Sequence, residues 1–92
     1  MKYRIKEILH SGRKGLRNSP VDDPKYDGLV GCIAQFDMDE IEQFKGVHIW
    51  VLDHPNYEWF DTTAVVQLGR RLDGDYEMET VNTIYVLEEI DK

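Results

Sequence analysis

The stretch Arg70-Arg71-Leu72-Asp73-Gly74-Asp75-Tyr76 constrains the fold more than any other part of the chain, because it specifies a turn and, through the turn, the pairing of two strands. Glycine alone takes the left-handed backbone conformation without steric cost, so Leu72 and Asp73 in the right-handed region and Gly74 in the left-handed one make a type I turn with a G1 bulge. That geometry predicts Arg71 opposite Asp75, Arg70 opposite Tyr76, Leu68 opposite Met78 and Val66 opposite Thr80. A slip of one residue would set Leu68 against an acid, so turn chemistry and face matching agree on one register.

The rest of the chain reads as further strands with irregular connections. Tyr3, Ile5 and Leu9 alternate with Lys2, Arg4 and Lys6, the period of a half-buried strand. From Ser11 to Asp27 glycines, prolines, Asn18 and paired aspartates remove any period and predict a long loop, a candidate binding element. Leu29 to Phe36 is nearly continuous apolar sequence interrupted by Gly31, which predicts a central strand buried on both faces. Asp37 or Asp39 caps one short helical turn in which Ile41 and Phe44 share a face and which Gly46 ends. Val47 to Leu52 reads as a strand with Trp50 in the core, and the Pro55-Asn56 segment as a turn carrying Tyr57, Trp59 and Phe60. Thr62 to Arg71 is the next strand, with Val66 and Leu68 on one face. Asn82 marks a break before a last strand from Ile84 to Leu87.

Ninety-two residues suffice for one core, so the chain is expected to be one domain. Six strands in that length need a closed sheet to hide their edges. The expectation is therefore an all-β fold, a small SH3-like barrel in the first place and an OB-like barrel in the second. Fold-level analogy of this kind carries no function.

Composition narrows the setting. Cys32 is the single cysteine, so no intrachain disulfide forms, and within LVGCIAQF it reads as a small core residue. The N-terminus alternates charge with apolar residues, unlike a signal peptide, and no apolar run is long enough to cross a bilayer. A cytoplasmic protein away from membranes is expected. Charge is divided unevenly: residues 1–25 carry seven Lys or Arg against three acids, and residues 26–92 carry four against fifteen. The plainest account is that a basic first strand and loop pair with acidic neighbours; the functional alternative is an acidic face for a basic partner.

The residues that carry chemistry do not assemble into a reactive set. His48 and His54 have neither the spacing of a helix face nor that of one strand face, which argues against a metal site. The carboxylates sit in polar stretches and not as a pair with separated acidities. Ser11 and Ser19 lack a nucleophile-elbow context, and Ser-Gly-Arg-Lys-Gly at 11–15 opens no helix that would complete a phosphate loop. The net charge of −7 argues against direct nucleic-acid binding. No enzyme activity, cofactor or metal is expected.

Thr62-Thr63 opening a strand, the Asp-Gly hairpin, and the ending Thr80-Val81-Asn82-Thr83-Ile84-Tyr85-Val86-Leu87 resemble small uncharacterised bacterial β proteins whose last strand reads T-x-N-S/T-x-Y-x-F/L. Tyr26 to Gly31, YDGLVG, is similar to a corresponding stretch of that group. The resemblance implies a β fold and no particular activity.

What remains is recognition. A groove between the long first loop and a later loop would bring Tyr26 towards Tyr57 and Trp59, with Arg13, Lys14 and Arg17 beside them. Aromatic side chains supply contact area at low entropic cost, so these six are the candidate partner-binding residues. The expected function is a non-enzymatic module that binds a protein or peptide, with self-association left open. The alternative is an acidic inhibitor or nucleic-acid mimic, of phage or mobile-element type, that displays Asp73, Asp75, Glu77, Glu79, Glu88 and Glu89 to a basic DNA- or RNA-binding protein.

Overall fold

A computed structural model of the protein describes residues 1–12 and 16–90, and their regular structure is β apart from two single 3₁₀ turns. Seven antiparallel strands, β1 (Lys2–His10), β2 (Ile33–Gln35), β3 (His48–Val51), β4 (Trp59–Asp61), β5 (Val65–Arg70), β6 (Tyr76–Thr80) and β7 (Thr83–Glu89), form one open sheet in the order β4-β3-β2-β1-β7-β6-β5. No helix of the described residues is long and apolar enough to cross a membrane.

The hairpin between β5 and β6 forms as its glycine requires. Gly74 has a φ of +94°, its N–H donates to the Arg71 carbonyl at 3.0 Å, and the Arg71 N–H donates to the Asp75 carbonyl at 2.7 Å. Arg70 lies opposite Tyr76 and Leu68 opposite Met78, as face matching demands. Further on the register departs from expectation, because a bulge between Val65 and Gln67 sets Val65, and not Val66, opposite Thr80. Val65 is therefore the core residue of this strand, while Val66 is half-buried and Leu68 exposed.

Three other expectations need correction. The barrel of six strands is an open sheet of seven, because Trp59–Asp61, read as part of a turn, pairs with β3 as an edge strand. Leu29 to Phe36 is not one central strand. Gly28 and Gly31 take φ values of +77° and +97°, turns occupy the first half, and only Ile33–Gln35 pairs. Burial on both faces belongs to β7 instead, where Tyr85 and Leu87 join the main core and Ile84 and Val86 form a second cluster with Leu9. Trp50 is outside the core. It alternates with buried Ile49 and Val51, and half of it is exposed to solvent. The short helical turn does form, as a 3₁₀ turn over Met38–Glu40 capped by the Asp37 carboxylate on the Asp39 N–H. Phe44, though, shares no face with Ile41; it lies outside with a φ of +68° and 70% exposure.

The open sheet is strongly coiled. Its edge strands β4 and β5 are joined by residues 62–64 alone, so Asp61 and Val65 lie within about 14 Å of each other. A flat seven-stranded sheet would hold its edges roughly 29 Å apart. The inner face wraps around Tyr3, Ile5, Ala34, Ile49, Val65, Met78 and Leu87. At the corner where the edges meet, residues 44–47 bridge them: the Phe44 N–H donates to the Val65 carbonyl at 2.7 Å, the Val65 N–H to the Lys45 carbonyl at 3.0 Å, and the Thr62 N–H to the Val47 carbonyl at 2.9 Å. Gly46 permits this approach, since a Cβ there would stand 2.6 Å from the Thr62 carbonyl oxygen.

Gly46→Ala should therefore cost about 2 kcal/mol by forcing the backbones apart, read as a fall in Tm of roughly 10 °C. Gly69→Ala, whose new Cβ meets nothing within 4 Å, is expected to hold or raise Tm. Equal effects at the two glycines would contradict the close approach at the corner.

Candidate functional site

One wall of an aromatic-lined cleft is built by the end of the long loop. Asp23 caps a single 3₁₀ turn over Pro24–Tyr26 by accepting from the Lys25 N–H at 3.1 Å, and Pro24 supplies the backbone angle at the start of that turn. The Leu29 N–H then donates to the Tyr26 carbonyl at 3.1 Å, which winds Tyr26 and Leu29 onto the same side. Lys25 lays its ammonium over the Tyr26 ring, 5.0 Å from the centroid.

The opposite wall is the turn before β4, and His54 organises it. Its Nδ1 accepts from the Asn56 N–H at 2.9 Å and from the Tyr57 N–H at 3.2 Å, so this nitrogen carries no proton. Nε2 is then the protonated nitrogen and donates to the Asp27 carbonyl at 2.9 Å. One imidazole thus shapes its own turn and fastens it to the other wall. Gly28 makes room for the ring, because a Cβ there would come within 2.9 Å of Nε2. Tyr57 packs edge-on against the same imidazole at 4.8 Å.

Between the walls lies a cleft of about 240 Å³, with Leu29, Tyr26, Tyr57, Phe60 and Tyr85 as its apolar surface and Asn82, Thr62 and Thr63 among its polar lining. Tyr85 forms the floor, 6.0 Å from Phe60 and 6.5 Å from Tyr26 between ring centroids. The Tyr26 hydroxyl and the Thr83 hydroxyl are 3.2 Å apart, and burial pushes the pKa of Tyr85 far above the ordinary phenol value. Tyr85 therefore stays a neutral phenol at any physiological pH.

Of the six residues singled out from sequence, Tyr26 and Tyr57 are brought together across this cleft. Trp59 is not. It projects from the outer face of β4, where it stands beside Trp50 in the neighbouring strand and 4.9 Å from the ring of His48. Arg13 and Lys14 lie outside the described residues. Arg17 serves the fold: its guanidinium holds both carboxylate oxygens of Glu79, at 2.8 and 2.9 Å, and the Ser11 hydroxyl donates to the same carboxylate. Residues 19–21 are stitched along the end of β1, with the His10 N–H on the Ser19 carbonyl at 2.8 Å and the Val21 N–H on the Ile8 carbonyl at 3.0 Å.

Phe60, Leu29, Tyr85 and His54 were not found by reading the sequence. The signal for His54 was the spacing of a side-chain acceptor to the amides two and three residues on, a turn-capping pattern more familiar from Asp or Asn. Phe60 would have followed from the alternation Trp59-Phe60-Asp61, had the segment been taken as a strand.

The acids of the last hairpin are largely neutralised within the protein. Asp75 pairs with Lys6 at 2.7 Å, Glu77 with Arg71 at 3.1 Å, Glu79 with Arg17 at 2.8 Å and Glu88 with Arg4 at 4.0 Å. Three basic residues of the first third of the chain, Arg4, Lys6 and Arg17, thus pair with acids of its last third. No family model matches the chain, and searches of curated proteins and of solved structures return no similar protein.

Two measurements check this construction. Arg17 and Ser11 hold the Glu79 carboxyl down at about 2, from an ordinary 4.5. A depressed carboxylate stabilises the fold above its unfolded value and loses that contribution as pH falls towards the folded one. Urea midpoints should therefore drop between about pH 4.5 and 2, and Glu79→Gln should be less stable at neutral pH with a shallower acid dependence. His54→Ala should lower stability by about 1 to 3 kcal/mol and speed amide exchange at Asn56 and Tyr57; unchanged protection there would show that His54 does not hold the turn.

Proposed function

We propose that the protein is a non-enzymatic interaction module that seats an apolar or aromatic side chain of a partner peptide in the cleft between Tyr26 and Tyr57. The observation that carries this reading is the cleft itself. Its five apolar or aromatic side chains come from two irregular segments and two strands, and they surround open space at the corner of a coiled sheet. Core side chains in such a position ordinarily close over one another. Here the imidazole of His54 and the Gly28 contact fix the walls at a set separation.

The polar groups at the bottom support recognition over chemistry. The hydroxyls of Tyr26 and Thr83 face each other and Tyr85 is held neutral, while the charged cleft residues are Lys25 and Asp61. Lys25 gives a bound peptide one cationic contact at the cleft, while the Asp61 carboxylate is held by His48 on the outer face. On this reading the coiled sheet serves as an incompletely closed small barrel of the SH3-like kind, with its groove between the first long loop and the loop preceding β4. The three-residue link between its edge strands supports that kinship.

A peptide display selection on the intact protein should enrich sequences that share one apolar or aromatic anchor. Tyr57→Ala is expected to weaken the selected peptides by about tenfold or more with little change in Tm. Amide shifts on binding should centre on Leu29, Tyr57, Phe60 and Asn82. Selected peptides that bind Tyr57→Ala as well as the parent, or that shift other regions, would overturn the site.

A further inference from the structure

The outer face of β3 and β4 is a second surface, independent of the cleft. Trp50 and Trp59 are cross-strand neighbours, 50% and 48% exposed, and the His48 ring lies 4.9 Å from each of them. His48 is fixed by Asp61, which meets its Nδ1 at 2.7 Å. Leu52, next on this side of β3, is also exposed. The inner residues Ile49, Val51 and Phe60 pack towards the core, so the indoles contribute little to folding and remain available.

The margin of this face is an open edge. The Val51 N–H donates to the Glu58 carbonyl at 2.9 Å and the Thr62 N–H to the Val47 carbonyl at 2.9 Å. The hydrogen-bonded positions of the ladder are therefore Glu58, Phe60 and Thr62, and the N–H and C=O groups of Trp59 and Asp61 point away from β3. Among the described residues nothing in the strand order lies beyond β4. An extended segment added there would make ladder bonds to Trp59 and Asp61 and set alternate side chains beside the indoles.

Charge selects the occupant. Residues 37–61 hold seven Asp or Glu and one Lys, a balance of −6 within a chain whose total is −7. The one lysine, Lys45, is paired with Glu42 at 2.6 Å. Asp37, Glu40 and Glu42 line a shallow depression of about 310 Å³ that His48 borders on its other side. The rest of the chain is close to neutral, so nearly all of the net charge lies in the segment that carries the two tryptophans, with Asp37, Glu40, Glu42 and Asp61 near His48.

We infer that the outer face of β3 and β4 binds an arginine-rich extended segment of another protein, whose guanidinium groups stack on Trp50 and Trp59 and pair with the surrounding carboxylates. Arginine suits this face better than lysine, because its planar, weakly hydrated cation stacks on an indole while its fork still reaches a carboxylate. The surface stands whether or not the cleft proves to be a peptide site.

Trp50 and Trp59 are the only tryptophans, so intrinsic fluorescence reports on this face in the unaltered protein. The probe is a blocked peptide alternating Arg and Thr, with Lys-Thr and Glu-Thr peptides of equal length beside it. Saturable quenching or a shift of indole emission is expected with the Arg peptide, several-fold weaker binding with the Lys peptide, and none with the Glu peptide. Replacing both indoles, Trp50→Ala with Trp59→Ala, should cost about tenfold in affinity measured by calorimetry with the net charge unchanged. Tyr57→Ala should leave the titration as it was. Four results would overturn the proposal: no binding up to about 1 mM, binding without change in indole emission, equal affinity for the Lys peptide, or a loss from Tyr57→Ala as large as that from the double variant.

Discussion

The three residues that join Asp61 to Val65 are the constraint on which the rest of the structure depends. Seven strands in sequence could lie flat, but a link this short between the two outermost ones forces the sheet to coil until its edges almost meet. Coiling gives the sheet an inside, and the inside is where Tyr3, Ile5, Ile49, Met78 and Leu87 are buried. Thr62 secures the corner. It is buried, its hydroxyl oxygen accepts from the Val47 N–H at 2.9 Å, and its hydroxyl donates to the Thr63 carbonyl at 2.8 Å. Because β4 and β5 are held together by a corner and not by a ladder, the coil leaves both a cleft beside β4 and an unpaired edge on it.

Electrostatics follows from the same strand order. β1 and β7 are neighbours, so Arg4 lies opposite Glu88 and pairs with it, while Lys6 reaches Asp75 at the β5–β6 hairpin. Exposed pairs of this kind add little to stability. Their effect is on the distribution of charge: what the first third of the chain cancels in the last third leaves residues 37–61 as the seat of nearly all the net charge. The sequence expectation put a candidate acidic face on Asp73, Asp75, Glu77, Glu79, Glu88 and Glu89. Four of these six are ion-paired within the protein, and the excess of negative charge lies in residues 37–61.

How much could be read in advance depended on whether local chemistry or tertiary pairing decided each element. The turn at Leu72-Asp73-Gly74 is local, and its prediction holds through Leu68 opposite Met78. It fails at Val66 because the bulge answers to the corner, where Val65 must face residues 44 and 45. The 3₁₀ turn at Met38–Glu40 is likewise local and follows from the Asp37 cap. Leu29 to Phe36 misleads because apolar content marks burial and not extension: Leu29 and Cys32 are buried from turns that Gly28 and Gly31 permit. In the cleft Tyr26 and Tyr57 were legible as aromatics in irregular segments. Tyr85 and Phe60 were not, because nothing in a strand's own pattern shows which inward residue will lack a neighbour above it.

The separation of Tyr57 from Trp59 shows how a single side chain can divide one aromatic segment between two surfaces. In an extended strand residues two apart face the same way, and by that rule Tyr57 would follow Trp59 to the outside. The strand is extended only from Trp59 to Asp61. Before it, the Nδ1 of His54 gathers the amides of Asn56 and Tyr57 and folds the chain back, so that Tyr57 packs inward with Phe60 while Trp59 stays out. The imidazole thus decides that β4 begins at Trp59, that its free edge is three residues long, and that the cleft receives a tyrosine which period-two alternation would have sent to solvent.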